Sequence, residues 1–280
     1  MSFKIRICKN KTTDLLRNTF HATPLTPPES TIRPLFILSR HNGKIGRLGY
    51  LKELFDKDKQ SGLSPNPATG IVADTALERT QKVDFNLGVN ILGALVKGFN
   101  LDISPVKAAL NGAREISFSF TNIQRLYIDQ LKLGNALAGK QVNLSNSALK
   151  SYLRPKDKAQ MLLVTDVLAS NSLAVNVESE HSQDFKIQMS PIESFIADAK
   201  LDVKARQHQE KTIQFEGTES LTFAFSCVEL EIDPVTGILS LGLPVGLEST
   251  RGSGEQEAMQ PGYVDLDDDP AMPGFLELDH

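Results

Sequence analysis

The sequence predicts an α+β domain built on an antiparallel sheet, and three observations lead there. Apolar and polar residues alternate strictly in separate short runs, most clearly Ile116, Phe118 and Phe120 against Ser117, Ser119 and Thr121. Turn-forming residues join neighbouring runs, as at His41-Asn42-Gly43-Lys44 and Asp233-Pro234-Val235-Thr236, which favours hairpins over βαβ units. Helical spacing is confined to a few stretches between them. At 280 residues and 40% apolar content, the chain can bury the core of one large domain or two small ones.

The elements follow in order. Residues 1–20 form a short basic segment with helical spacing around 12–19, and Pro24 to Pro28 read as a linker. Residues 32–39 read as a strand, with Pro34 suited to an edge or a strand start. After the turn, residues 45–50 return as a strand or lead directly into a helix over 51–55, and 56–70 read as an exposed loop. Phe85, Leu87, Val89 and Ile91 then alternate with Asp84, Asn86, Gly88 and Asn90, which predicts a one-sided strand over 83–91. Residues 93–103 fit either a hairpin continuation or an amphipathic helix. Spacing predicts a helix over 124–138, stopped at Gly139, and a shorter one over 143–152. Residues 161–168 are continuously apolar and strand-like, and 169–172 turn the chain into a strand at Leu173, Val175 and Val177. Phe185, Ile187 and Met189 continue that alternation, and 195–205 fit a helix or a strand edge. Residues 221–232 and 237–243 form a final pair.

Charge divides the chain. From Glu248 onward nine acids face a single base, Arg251. Removing these from the whole chain's 30 Lys+Arg and 34 Asp+Glu leaves 29 against 25, so a body of about +4 sits in a chain of −4. Two domains are expected on this basis: a body over 1–246 and a detachable linker and tail over 247–280. The boundary, Leu247 to Glu257, reads as an exposed protease-sensitive loop, with cleavage expected after Arg251 or after Leu247.

Several function classes lose support. No stretch reaches the roughly 18 apolar residues of a membrane helix, and no apolar core follows the basic N-terminus, so a cytoplasmic start is expected. Cys8 and Cys227 do not suggest a disulfide framework, and the five His show no metal spacing. Nucleotide fingerprints, HExxH, CxxC and GxSxG are all missing, and Asp267-Asp268-Asp269 lacks the spacing and closing Glu of a calcium loop. An enzyme is not expected, nor a cofactor. The mildly basic body lacks the basic-aromatic interleaving of a nucleic-acid binder.

Three segments carry a family resemblance. Pro28-Glu29-Ser30-Thr31-Ile32-Arg33-Pro34-Leu35, with the hairpin-like run that follows, resembles the start of the small bacterial gasdermins. So does the N-terminal Cys8 before a short helical segment. Met161-Leu162-Leu163-Val164-Thr165-Asp166-Val167-Leu168 resembles a strand of gasdermin pore-forming domains, and the order of elements is similar over about residues 5–245.

The resemblance implies a twisted antiparallel sheet with peripheral helices, and a soluble monomer held inactive by its C-terminal peptide. An activating protease removes that peptide. The body then self-assembles on membrane lipids and inserts β-hairpins at the inner membrane, causing cell death, commonly as antiphage defence. Residues 83–103 with 113–121 would give one hairpin, placing Phe85, Leu87, Val89, Ile91, Ile116, Phe118 and Phe120 against lipid. Residues 161–189 would contribute the other, with 161–168 alternatively remaining core. The same alternation equally serves a half-buried sheet, so the two arrangements can follow one another. Lys4, Arg6, Lys9, Lys11 and Arg17 would meet anionic headgroups, and Cys8 would carry a palmitoyl chain. In the tail, Tyr263, Leu266, Phe275, Leu276 and Leu278 would hold the inactive state. The competing reading is a soluble, non-enzymatic protein-binding domain with an acidic interaction tail.

Overall fold

A computed structural model describes residues 22–41, 44–60, 63, 65–71, 83–153, 159–179 and 186–244. In chain order the strands are β1 (Thr23–Glu29), β2 (Phe36–His41), β3 (Lys44–Tyr50), β4 (Ala68–Ile71), β5 (Val83–Asp84), β6 (Glu115–Thr121), β7 (Gln124–Tyr127), β8 (Gln160–Glu178), β9 (Val203–Gln209), β10 (Thr212–Ile232) and β11 (Leu239–Pro244). Four α-helices are interspersed among these described residues: α1 (Phe85–Lys97), α2 (Ile103–Ala109), α3 (Gln130–Leu137) and α4 (Ser190–Asp198).

The spine of the sheet is the antiparallel pair β8–β10, in register from Asn176↔Thr212 to Met161↔Leu230. Nineteen residues give β8 a length of about 60 Å. Three short strands follow one another along each side of this spine. β2, β7 and β6 pair successively with β8, and β11, β1 and β9 pair successively with β10. All pairings are antiparallel. Arg47 on β3 reaches Glu29 at the end of β1 with Nη2–Oε1 2.8 Å, drawing the two ends of the main strand path together.

The spine has two halves with different chemistry. Residues 161–170 of β8 are almost all buried, because the sheet there carries a core on each face. Leu162, Val164, Phe225 and Cys227 pack on one side with Leu38 and Ile45. Met161, Leu163, Val228 and Leu230 pack on the other with Leu51 and Leu133. A continuous apolar run is what two-sided burial requires. Beyond Ser172 the strand alternates between buried and less buried positions, and among the described residues only one face carries a core.

Several sequence expectations stand. The β2–β3 hairpin is present, although Asn42 and Gly43 lie outside the described residues. The 3-10 turn at Leu51–Leu54 occupies the expected helical stretch, and Gly139 follows α3 at φ +69. Asp233 closes the β10–β11 turn: its carboxylate accepts from Val235 N and Thr236 N, both at 2.8 Å.

Others are corrected. Pro24 to Pro28 lie within strand β1, which among the described residues pairs only with β10, an edge position where proline's missing N–H does no harm. The exposed loop expected over 56–70 holds a 3-10 turn at Lys57–Lys59, fully buried Leu63 and the start of β4. The strand expected over 83–91 is two residues of strand followed by α1. Val89, Leu92, Val96 and Phe99 repeat at three- and four-residue intervals and are all buried, so the helical period wins over the alternation.

The helix expected over 124–138 begins only after β7, because Asp129 caps α3 by accepting from Leu131 N at 2.8 Å. Residues 143–152 contain only the 3-10 turn Ser147–Leu149. No turn interrupts 169–172: β8 runs straight through, its Ser170 and Ser172 fully buried. Ile187 and Met189 precede α4 outside any strand, because Ile187 packs under the helices.

Candidate membrane-active sheet

The half of the spine beyond Ser172 forms a four-stranded sheet in the order β6–β8–β10–β9, and its two faces are chemically opposite. Strand alternation places Ile116, Phe118 and Phe120 of β6 on one face. Their registered partners Val177, Val175 and Leu173 share that face, continued by Ile213 and Phe215 of β10 and by Val203 and Ala205 of β9. The row Phe120–Leu173–Phe215–Ala205 crosses all four strands without a polar side chain.

The other face reads Ser119–Ala174–Gln214–Arg206 and Thr121–Ser172–Glu216–Lys204. Hydrogen bonds tie its side chains across the strands. Thr121 Oγ1 donates to Ser172 Oγ at 2.8 Å, Gln214 Nε2 donates to the same oxygen at 2.9 Å, and Thr212 Oγ1 donates to Asn176 Oδ1 at 2.8 Å.

Three helices cover the apolar face. α1 contributes Val89, Ile91, Leu92, Leu95 and Val96, α2 contributes Val106 and Ala109, and α4 contributes Ile192. Burying each large side chain is worth about 1.5–3 kcal/mol, so uncovering this face in water would be strongly unfavourable. Transfer to hydrocarbon would remove that penalty. α1 and α4 end alike, in a pair of bonds donated by a left-handed residue and by the residue after it. Leu101 N donates to Val96 O at 3.1 Å and Leu201 N donates to Ile196 O at 3.1 Å. The turn residues, Asn100 at φ 58 and Lys200 at φ 50, are not glycine.

A row of buried hydroxyls separates this half from the two-sided half. Ser170 Oγ accepts from Ser172 N at 2.9 Å and donates to Thr121 O. At this level β6 gives way to β7, and the four residues Gly217–Ser220 of β10 bulge opposite Asn171. Arg33 holds the bulge, donating to Ser220 O and to Thr222 Oγ1 at 2.9 Å. Burial pushes its guanidinium below the usual arginine value, against the pull of nearby Tyr50 and Glu219.

Ile116, Phe118 and Phe120 therefore stand together on the apolar face as expected, while Phe85, Val89 and Ile91 stand on the covering helix α1 instead of on a strand. Leu87 also falls within α1. Cys8, Lys4, Arg6, Lys9, Lys11, Arg17, Leu247, Arg251, Tyr263, Leu266, Phe275, Leu276 and Leu278 lie outside the described residues. The contribution of β9 and the serine row are not expected from the sequence. The available signal is Ser170-Asn171-Ser172 within a long apolar run, a polar triplet that also fits a turn. Among the described residues no acidic, Cys or His cluster is placed to hold a metal, and no helix is long and apolar enough to cross a membrane. Cys227 is pushed up to about 12 by burial and holds its proton, so it offers no thiolate for chemistry.

An amphipathic sheet beneath a helical cover is a general arrangement, and comparison with known proteins makes it specific. The profile of the Bacterial Gasdermin Family matches residues 25–238. The chain belongs to the bacterial gasdermin family. A gasdermin bGSDM of Vitiosangium sp. (strain GDMCC 1.1324) is 26% identical over 210 residues, covering 73% of this chain and 75% of that gasdermin. A second, from Lysobacter enzymogenes, is 23% identical over 249 residues, covering 86% and 89%. The fold is shared with the structure of a bacterial gasdermin from Bradyrhizobium tropiciagri, at a TM-score of 0.58 and 15% identity over 84% of this chain and 92% of that one. Membership of the gasdermin family supports a pore-forming role in general.

Proposed function

We propose that this gasdermin is an autoinhibited pore former released by proteolysis within 247–257, after Arg251 or Leu247. The freed body oligomerises in the cell inner membrane and kills the cell in antiphage defence. The observation that carries this reading is the one-sided sheet β6–β8–β10–β9, apolar under its helices and polar on its other face. A membrane barrel needs such strands, with lipid on one side and water on the other and every backbone group paired around a closed ring.

Strand length supplies a second argument. A spanning strand needs about 9–11 residues, whereas β6 and β9 have seven each. The flanking helices must therefore join the strands. The sequence of α1 allows it, because Phe85, Leu87, Val89 and Ile91 alternate with Asn86, Gly88 and Asn90 at a strand period while its core residues keep a helical one. The first hairpin is thus drawn from 83–121. The second is drawn from about 172–216 instead of 161–189, because 161–168 is buried on both faces. Lys4, Arg6, Lys9, Lys11 and Arg17 make first contact with anionic lipid, and a palmitoyl group on Cys8 anchors the body. Tyr263, Leu266, Phe275, Leu276 and Leu278 hold the resting state until the tail leaves.

The test is a chain with an engineered protease site at residue 251, mixed with dye-loaded anionic liposomes before and after cutting. Release only after cutting is expected. No release after complete cutting and verified tail dissociation would overturn the reading and favour a protein-binding domain with an acidic interaction tail.

A further inference from the structure

The C-terminal end of α1 meets the sheet at two glycines: the contact at Gly98 leaves no room for a side chain, and the contact at Gly217 leaves little. A Cβ on Gly98 would lie 2.5 Å from the backbone carbonyl oxygen of Pro28 in β1, 3.2 Å from Pro28 Cβ and 3.1 Å from Leu221 Cδ1 of β10. Backbone oxygen cannot swing aside as a flexible side chain can, so any larger residue must lift the helix end. One residue later, Phe99 lies over the β10 bulge, where a Cβ on Gly217 would meet its ring at 3.1 and 3.3 Å. Phe99 is 6% exposed and belongs to the core that α1 covers. The helix is thus keyed at one end into β1 and into the segment of β10 that marks the boundary between the two halves of the sheet.

Resting on the pore-forming reading above, we infer that Gly98 and Gly217 are positioning residues. They form a seat for the C-terminal end of α1 and set how readily the apolar face is uncovered. The apolar contacts of α1 supply most of the adhesion, but they are non-directional and tolerate small slides. The seat fixes one docked position, and residues 98–101 are where the helix hands over to the turn at Asn100. Weakening it should let α1 open locally while the two-sided half of the molecule stays closed, in the way that separate cooperative units of one fold open independently.

The experiment uses the full-length chain carrying the protease site, as wild type, Gly98→Ala, Gly217→Ala and the control Gly134→Ala. Gly134 lies on α3 with nothing within 4 Å of its added Cβ. Amide hydrogen exchange of the uncut chains is read by segment, and dye release is read after cutting. Gly98→Ala should speed exchange of the α1 amides by about tenfold or more, with residues 161–168 and 223–230 unchanged, and should shorten the lag before release. Gly217→Ala should do the same to a smaller extent, because the group that must yield is the Phe99 ring and not backbone. Gly134→Ala should leave α1 exchange and the lag as in wild type. Should Gly98→Ala fail to fold, Gly217→Ala and Phe99→Leu carry the test.

Unchanged α1 protection in the seat variants overturns the inference. So does faster exchange spread evenly over 161–168 as well, which would show general destabilisation, and so does local opening of α1 with no change in lag. If the cut wild type releases no dye, the pore-forming reading fails on its own, and the exchange data still decide whether the seat exists.

Discussion

At the residue scale, the informative positions are those where a small change alters one identifiable term. Ser170 is fully buried, and its hydroxyl replaces backbone partners at the boundary between the halves. Ser170→Ala should cost about 1–3 kcal/mol by stranding the Ser172 N–H and the Thr121 carbonyl, read as a lowered urea midpoint. Gly134, in the interior of α3 with open space around it, presents the opposite case. Gly134→Ala should stabilise by about 0.5–1 kcal/mol, because alanine loses less backbone freedom on folding. Asp233 is held below the usual carboxylate range by the Thr236 and Val235 N–H groups. A depressed folded-state value means that its stabilising effect is full above about pH 4. The effect is lost as pH falls through the depressed value, so the β10–β11 turn amides should lose protection relative to their intrinsic exchange rates in acid, and the Asp233→Ala variant should lose that dependence. Asp233 is legible in the sequence as a turn former, whereas Ser170 and Gly134 do not advertise their roles. A serine in an apolar run looks like a turn until the strand on either side is known to continue.

At the element scale, β6 and the two-sided part of β8 are legible in the sequence, whereas β1, β4, β7, β9 and α1 are not. Period-two alternation identified β6, and a continuous apolar run identified the two-sided part of β8, because each pattern has one physical origin. The segment 85–97 carries both periods at once, and only tertiary cover decides between them. That ambiguity gives a prediction. Asn86 and Asn90 are exposed on α1, where asparagine is a poor helix former. Replacing both with alanine should stabilise the helix by several tenths of a kcal/mol each and weaken the strand alternative, since alanine is also depleted in strands. The double variant should show a higher melting temperature and slower dye release after cutting. Release as fast as wild type, with the melting temperature raised as expected, would argue that α1 does not convert. Lys200 at the end of α4 acts in the same direction. Its left-handed conformation costs about 1 kcal/mol, so Lys200→Gly should steady the resting cover and lengthen the lag.

At the scale of the whole molecule, the decisive quantity is charge, which the sequence shows more directly than any fold comparison. A chain of −4 contains a body of about +4, and cutting after Arg251 leaves that body with the same positive balance. An anionic membrane should therefore discriminate between the two forms before any strand inserts. Each Lys or Arg near such a surface is worth about 1 kcal/mol, and the field falls off over about 10 Å at 0.1 M salt. The uncut chain should stay in the supernatant when anionic vesicles are sedimented, while the cut body should pellet with them. Raising the salt to about 1 M, where the screening length is about 3 Å, should return the body to the supernatant if it is added before binding. Salt added after binding should not, because apolar strand faces already in lipid are not released by screening. A cut body that binds neutral and anionic vesicles equally, at low and high salt, would remove charge from the mechanism. The tail would then act only as a steric cover, and the apolar face of β6–β8–β10–β9 would have to account for membrane affinity alone.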